Sequence, residues 1–491
     1  MGTSLRPHEK ISLLLALIGL VTFASYSCQK SPTPSNTNTN AVALASPTAS
    51  PVPPWPPGFP QGMPTPVVSG NIPQQVVING NPATPLDARP FFDYFSWESF
   101  IALNWPASSS RGVPNDPNNP SVFFNAPNGT AVVWGTYKDS FDLFGQKDQR
   151  PSPWSSPTSP ISPCPSGTPN QKTLIFTTKG ETPLMQTKQA FSFPLVDQRS
   201  NYVYFDIRYD EAEYNFIRGQ DSDPTSWLYL LKNLAPKENT PTGVQMPMTT
   251  PSALGSIMIK AAWRISTPSD DPKRFYAVNA LIYDSTKQTC NPATVLLVGL
   301  HIAHKIDPFS EWVWSTFEQV DNVPPDPDVS PKPTPPPSGY SFNNGANNPP
   351  TPNGYNYKPP LPAPGQPAPT PSPVQVTRVN AIPNTPSGAS TRDVNTYYQS
   401  LLKGTVWQYY QLVVTQWPGS PNSPFILMQN GGVYPQNAGG AFPVNGAVNT
   451  TQETYFQTQN DAAGAGGNSC MSCHYRAGQS DFSWGLNRRA Y

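Results

Sequence analysis

Apolar residues along this chain come in short bursts with two different periods. In Tyr202-Val203-Tyr204-Phe205-Asp206-Ile207-Arg208-Tyr209, the residues Val203, Phe205, Ile207 and Tyr209 alternate with Asp206 and Arg208. That alternation predicts a half-buried strand with its charged residues in water. The runs SIMIKAAWRI, RFYAVNALIY, TVLLVGLHIAHKI, WVWSTFEQV and VWQYYQLVVTQW are of the same kind: short, rich in β-branched and aromatic residues, and separated by turn-forming clusters. A helical period shows in FFDYFSWESFIALNW, where Phe92, Phe95, Phe100 and Leu103 line one face and Pro106 stops the helix. Shorter helices are predicted over residues 211–217 and 394–402. Long helical crossovers between the strand runs are lacking. The predicted fold class is therefore α+β, mainly antiparallel β with a few helices.

Composition divides this pattern into regions. The 65 prolines among 491 residues are severalfold the usual share of about 5%, and they cluster. Residues 28–88 are polar and rich in Pro, Ser, Thr and Asn, too poor in apolar surface to offset their ordering entropy, and read as a disordered tether. Residues 89–461 carry the strand runs and form a β-rich domain. A second proline-rich stretch, 324–373, interrupts it as an extended insertion. Only 12% of residues are charged, with 30 basic against 30 acidic side chains. No basic stripe exists to neutralise phosphates, which excludes nucleic acid as a partner.

The amino terminus reads as an export signal over residues 1–27. Arg6 and Lys10 precede an apolar run, Ile11 to Val21, that suits a signal core and is too short to span a bilayer comfortably. Ser25-Tyr26-Ser27-Cys28 resembles a lipoprotein cleavage site, which would make Cys28 the lipid-bearing first residue. Ordinary cleavage with soluble export and retention of the segment as an anchor are the alternatives. The location predicted is extracytoplasmic, in the periplasm or on the outer membrane through a lipid anchor.

Five cysteines complete the picture. Cys470-Met471-Ser472-Cys473-His474 is the C-x-x-C-H signature of covalent haem c attachment. Two cysteines separated by two residues on a helical turn reach the vinyl groups at one porphyrin edge, and the adjacent histidine becomes the proximal iron ligand. Gly464, Gly466 and Gly467 just before it allow close backbone approach or act as a hinge. C-x-x-C also serves zinc and thiol redox chemistry. Against those stand the export signal, the lack of a second C-x-x-C and the lack of a thioredoxin-like pattern. Cys164 and Cys290 remain, an even pair in an oxidising compartment, and are predicted to form a disulfide.

SCMSCH, together with SWESFIALNWP, GLHIAHKI, WSTFEQVDNVP and NTTQETYFQ, resembles a family of large bacterial cytochrome c-like proteins with one C-terminal haem motif. The resemblance implies one haem c and electron transfer. Small cytochromes c place the motif early and take a Met ligand much later. Here neither Met nor His occurs in residues 475–491. The short haem-binding segment, residues 462–491, must therefore pack on the β-rich body, which supplies the wall and any distal ligand. His301 is the first candidate distal ligand. An offset of three places His304 on the opposite strand face. Met185, Met258 and Met428 are weaker candidates, and a vacant sixth position is a further alternative.

The tryptophans suit core packing better than sugar stacking. Glu318, Asp321, Asp93 and Glu98 lie near predicted core and are expected to pair with Arg264 or Lys260. The leading function is electron transfer with a redox partner protein or a small-molecule donor or acceptor. The alternatives are a haem-dependent oxidoreductase with a pocket in the β-rich domain, and a binding or scaffold lipoprotein with an auxiliary haem.

Overall fold

A computed structural model of the chain describes residues 52–79, 85–144, 150–158, 164, 172–176, 187, 189, 194–222, 245–284, 289–345, 371–384, 389–418, 441–443, 446–457, 468–474, 477 and 480–487. All of them fall in one compact unit, Ala49–Tyr491. The predicted export signal, Cys28 and the glycines at 464, 466 and 467 lie outside the described residues.

The fold is α+β and mainly antiparallel. Strands β1 (Lys138–Asp139), β3 (Tyr204–Tyr209), β4 (Ile257–Ile265), β6 (Thr289–Ile306), β7 (Phe309–Gln319), β8 (Tyr410–Pro418) and β9 (Ala441–Phe442) pair antiparallel in that spatial order. Strand β5 (Ala277–Asp284) pairs with the first half of β6, and β2 (Lys172–Phe176) lies parallel to β5. β6 is the spine: it carries β5 and then β7 along one edge and β4 along the other. Its second half is buried on both faces. A strand covered on both sides reads as a continuous apolar run rather than an alternating one, as TVLLVGL does.

One face of the sheet is covered by helix α1 (Pro85–Leu103) and helix α5 (Thr391–Leu401); the short helices α2 (Pro120–Phe124), α3 (Ser140–Phe144) and α4 (Glu211–Arg218) fall between them in the chain. Ser96 of α1 shares hydrogen bonds of 2.7 Å with Ser315 and Thr415 on two adjacent strands. Trp97 stacks on Tyr398 of α5, ring centroids 5.0 Å apart, and donates to Asn395 Oδ1 at 3.0 Å. The expectation of a single apolar face on α1 needs correcting. From Phe91 to Leu103 only Tyr94 is less than fully buried, because residues 52–79 run over its outer side. These were expected to belong to the tether. Trp55 instead stacks on Phe59 and packs on Tyr397, centroids 4.6 and 4.3 Å apart, and the Tyr397 hydroxyl donates to the Pro53 carbonyl. A proline-rich segment orders at little entropic cost, so a few aromatic anchors suffice to hold it as a strap.

Three further expectations change. The polar side of β3 is not in water: Asp206 and Arg208 are buried and paired at 2.9 Å, with Arg208 also donating to the Tyr137 carbonyl. The proline-rich insertion is tied to the body near its ends, where Phe342 within it and Val374 just after it pack with Leu195, Phe275 and Val298; residues 346–370 lie outside the described residues. The carboxylates take other partners. Glu318 pairs with Arg378 at 2.5 Å and Asp321 with Arg274 at 2.6 Å. Asp93 accepts from Thr391 and Thr415, and Glu98 from Tyr398. Arg264 pairs with Asp270, and Lys260 with Glu453. Cys164 and Cys290 are joined by a disulfide, Cα atoms 5.7 Å apart. Among the described residues no helix is long and apolar enough to cross a membrane.

Candidate haem-attachment site

Alternation along β6 decides what meets what. Leu300, Ile302 and His304 point to one side, Gly299, His301 and Ala303 to the other. His304 lies on the α1 side, its ring 5.6 Å from Phe95 and its Nε2 2.8 Å from Thr249 Oγ1. Burial pushes its imidazole down to about 3, so it is neutral. His301 is therefore on the opposite face, as are its cross-strand neighbours Lys260 and Thr316 and, one step along, Met258, Ala303 and Trp314.

The C-terminal segment seats on that second face. Helix α6 (Cys470–His474) is a single turn begun by Ser469, whose hydroxyl accepts from Ser472 N at 3.2 Å. The turn places Cys470 and Cys473 on one side. Both are partly exposed and neither is in a disulfide. The Cys470 thiol donates weakly to the Ala447 carbonyl at 3.4 Å and packs beside Val413, Val414 and Ile382. Burial, reinforced by the Glu453 charge, pushes this thiol up, so it is protonated at neutral pH. Met471 N donates to Gln416 Oε1 at 2.7 Å, and its side chain enters the main core.

His474 packs against Trp314, ring centroids 4.3 Å apart, and its Nδ1 lies 2.7 Å from the Phe482 carbonyl oxygen. A carbonyl can only accept, so Nδ1 carries the proton and Nε2 keeps its lone pair. Burial, opposed by that hydrogen bond, lowers the imidazole to about 4. The ring is neutral, as a metal ligand must be. The carbonyl is presented by an unusual turn. Asp481 and Phe482 both have left-handed backbones, φ 50° and 64°. Asp481 accepts from Met246 N at 2.6 Å and forms a buried ion pair with Lys305.

A polar cluster stands close by. His301 Nε2 lies 2.8 Å from Glu453 Oε1, and Lys260 Nζ lies 3.8 Å from the same oxygen. Burial opposes ionisation of Glu453, but His301, Lys260 and the Asn449 N–H together hold its carboxyl at about 2. All three charged or polar groups are near enough to act electrostatically on His474.

Among the described residues no three His, Cys, Asp or Glu side chains converge to hold an ion between them, the motif's own three included. Two thiols on one side of a turn and an imidazole with its outer nitrogen already bonded form a spread-out set, as attachment to a macrocycle requires. Of the sequence-predicted distal candidates, His301 shares a sheet face with the motif but its Nε2 is engaged by Glu453. Met258 lies on that same face, half-buried against the core, and Met185 and Met428 are outside the described residues. Sequence reasoning missed Trp314, Glu453, Phe482, Asp481 and Lys305. NTTQETYFQ, which contains Glu453, carried a resemblance but no role; Asp481 and Phe482 carried no signal. No family model, curated protein or solved structure matches the chain.

Proposed function

We propose that this protein is an exported, lipid-tethered mono-haem c-type electron carrier. The observation that carries the reading is the His474 Nδ1–Phe482 carbonyl hydrogen bond on the same helical turn as Cys470 and Cys473. Cys470 and Cys473 would hold the haem by thioethers and His474 Nε2 would ligate the iron. Bound haem supplies a one-electron iron couple. The chain's residues set its properties. The Phe482 carbonyl raises the basicity of His474 and fixes the ring's orientation. Trp314 and Met471 keep water from the histidine side. Lys260 and Glu453 place charges where the potential is sensitive to them.

The His301–Glu453 hydrogen bond favours one second reading. A histidine held by a carboxylate is arranged for proton transfer, and His301 then serves an oxidoreductase as acid or base rather than as a ligand.

Expression of the full chain with haem c maturation machinery tests both. The proposal requires haem that survives denaturing extraction and is lost from Cys470→Ala/Cys473→Ala. Protein without covalent haem overturns it. A low-spin spectrum that becomes high-spin in His301→Ala identifies His301 as ligand and the protein as a carrier. A high-spin iron that binds cyanide or peroxide in the unaltered protein favours the oxidoreductase.

A further inference from the structure

We infer that Lys305 is a positioning residue for His474: through its buried ion pair with Asp481 it holds the turn that aims the Phe482 carbonyl at Nδ1. This rests on the haem-attachment reading above and deepens it.

The turn needs holding. Left-handed backbone is tolerated by Asp and disfavoured for Phe, and here the two are consecutive, with φ 50° and 64°. Such a conformation persists only where its surroundings over-determine it. Local bonds do part of this: Phe482 N donates to Ala477 O and Ser483 N to Ser480 O, both at 3.0 Å. These close the turn on itself but do not place it against the sheet. Asp481 does so twice, by accepting from Met246 N at 2.6 Å and by pairing with Lys305. Lys305 is the more rigid anchor because it belongs to β6, the spine that also carries His301, and its own N–H is held by Ser256 O at 3.0 Å. The two side chains are 1% and 3% exposed. Glu213 is buried in the same neighbourhood, but among the described residues its oxygens have no hydrogen-bond partner, whereas Asp481 is the carboxylate bonded to Lys305. A buried ion pair is a costly way to gain stability alone. Its position, one residue from the carbonyl that orients the proximal histidine, points to orientation as its use.

The test is histidine ¹⁵N NMR on the full-length chain without haem, followed by redox titration of the haem-loaded protein. In the unaltered chain His474 should be locked with its proton on Nδ1. In Lys305→Met the ring should populate both tautomers. After loading, the reduction potential should rise, because a less basic imidazole favours the reduced iron. We expect roughly a tenfold change in the oxidised-to-reduced ratio, about 59 mV for one electron. Lys305→Arg should restore both signals. A Lys305→Met protein with wild-type His474 resonances and potential overturns the inference. Should that variant fail to fold, Asp481→Asn keeps an acceptor for Met246 and tolerates the left-handed backbone while removing the charge. An unchanged His474 signal there overturns it equally. If the unaltered chain takes up no covalent haem, the functional reading fails while the NMR comparison still decides the role of Lys305.

Discussion

Gly299 sits on the spine strand where the loop of residues 446–457 crosses the sheet. A Cβ at this position would overlap Thr451 Oγ1 and touch Asn449 Oδ1 and Gln452 Nε2, each at 3.4 Å. Thr451 is fully buried, and its hydroxyl donates to Asn449 Oδ1 at 2.7 Å, so it cannot swing aside without losing that bond. Gly299→Ala therefore adds an overpacking cost of about 1–3 kcal/mol and sacrifices a buried hydrogen bond worth about 0.5–1.5 kcal/mol. Against this stands a gain of about 0.4–1 kcal/mol from the stiffer unfolded chain. The net expectation is a loss of about 2 kcal/mol, read as a lower urea midpoint by tryptophan fluorescence at unchanged slope. Thr451→Ala supplies the internal check, since Asn449 Oδ1 keeps its bond from Thr451 N at 2.9 Å. In that background Gly299→Ala should cost less than about 1 kcal/mol, a coupling expected of residues in contact. Equal costs in the two backgrounds, or no cost at all, refute the packing argument.

Two other measurements bear on the scaffold. The Cys164–Cys290 bond closes a loop of sequence separation 126, for which chain entropy predicts a loss of about 4–5 kcal/mol in Cys164→Ala/Cys290→Ala; a denaturation midpoint that ignores both this change and added reductant contradicts it. Burial, only partly opposed by the Thr391 and Thr415 hydroxyls and by Arg89, raises the Asp93 carboxyl to about 6. A folded value above the unfolded one gives a contribution present below about pH 4 and lost as pH rises through about 6. Asp93→Asn should accordingly gain on the unaltered protein by about 3 kcal/mol between about pH 4 and pH 7, and a pH-independent difference counts against a buried, protonated Asp93.

Local periodicity carried much of the fold. The strands β3 to β8 and helices α1 and α5 all coincide with runs whose spacing announced them, because side-chain direction repeats every two residues on a strand and about every 3.6 on a helix. The same alternation sent His301 and His304 to opposite faces. The three residues of the motif were legible because their chemistry needs them adjacent in sequence. What could not be read was which surface covers which. The second face of β3 is buried by a segment some seventy residues upstream, and the proline-rich strap pays its way through contacts with Tyr397, far along the chain. The partners of Glu318 and Lys260 come from segments 371–384 and 446–457 laid over the sheet, and the Phe482 carbonyl on His474 from a turn held by Lys305 on a distant strand. Periodicity is a property of neighbours along the chain, whereas a hydrogen bond or ion pair between distant residues exists only once the backbone has placed both ends. The sequence by itself therefore determined the principal strands and helices and the C-x-x-C-H motif, and the tertiary structure alone decided what surrounds that motif.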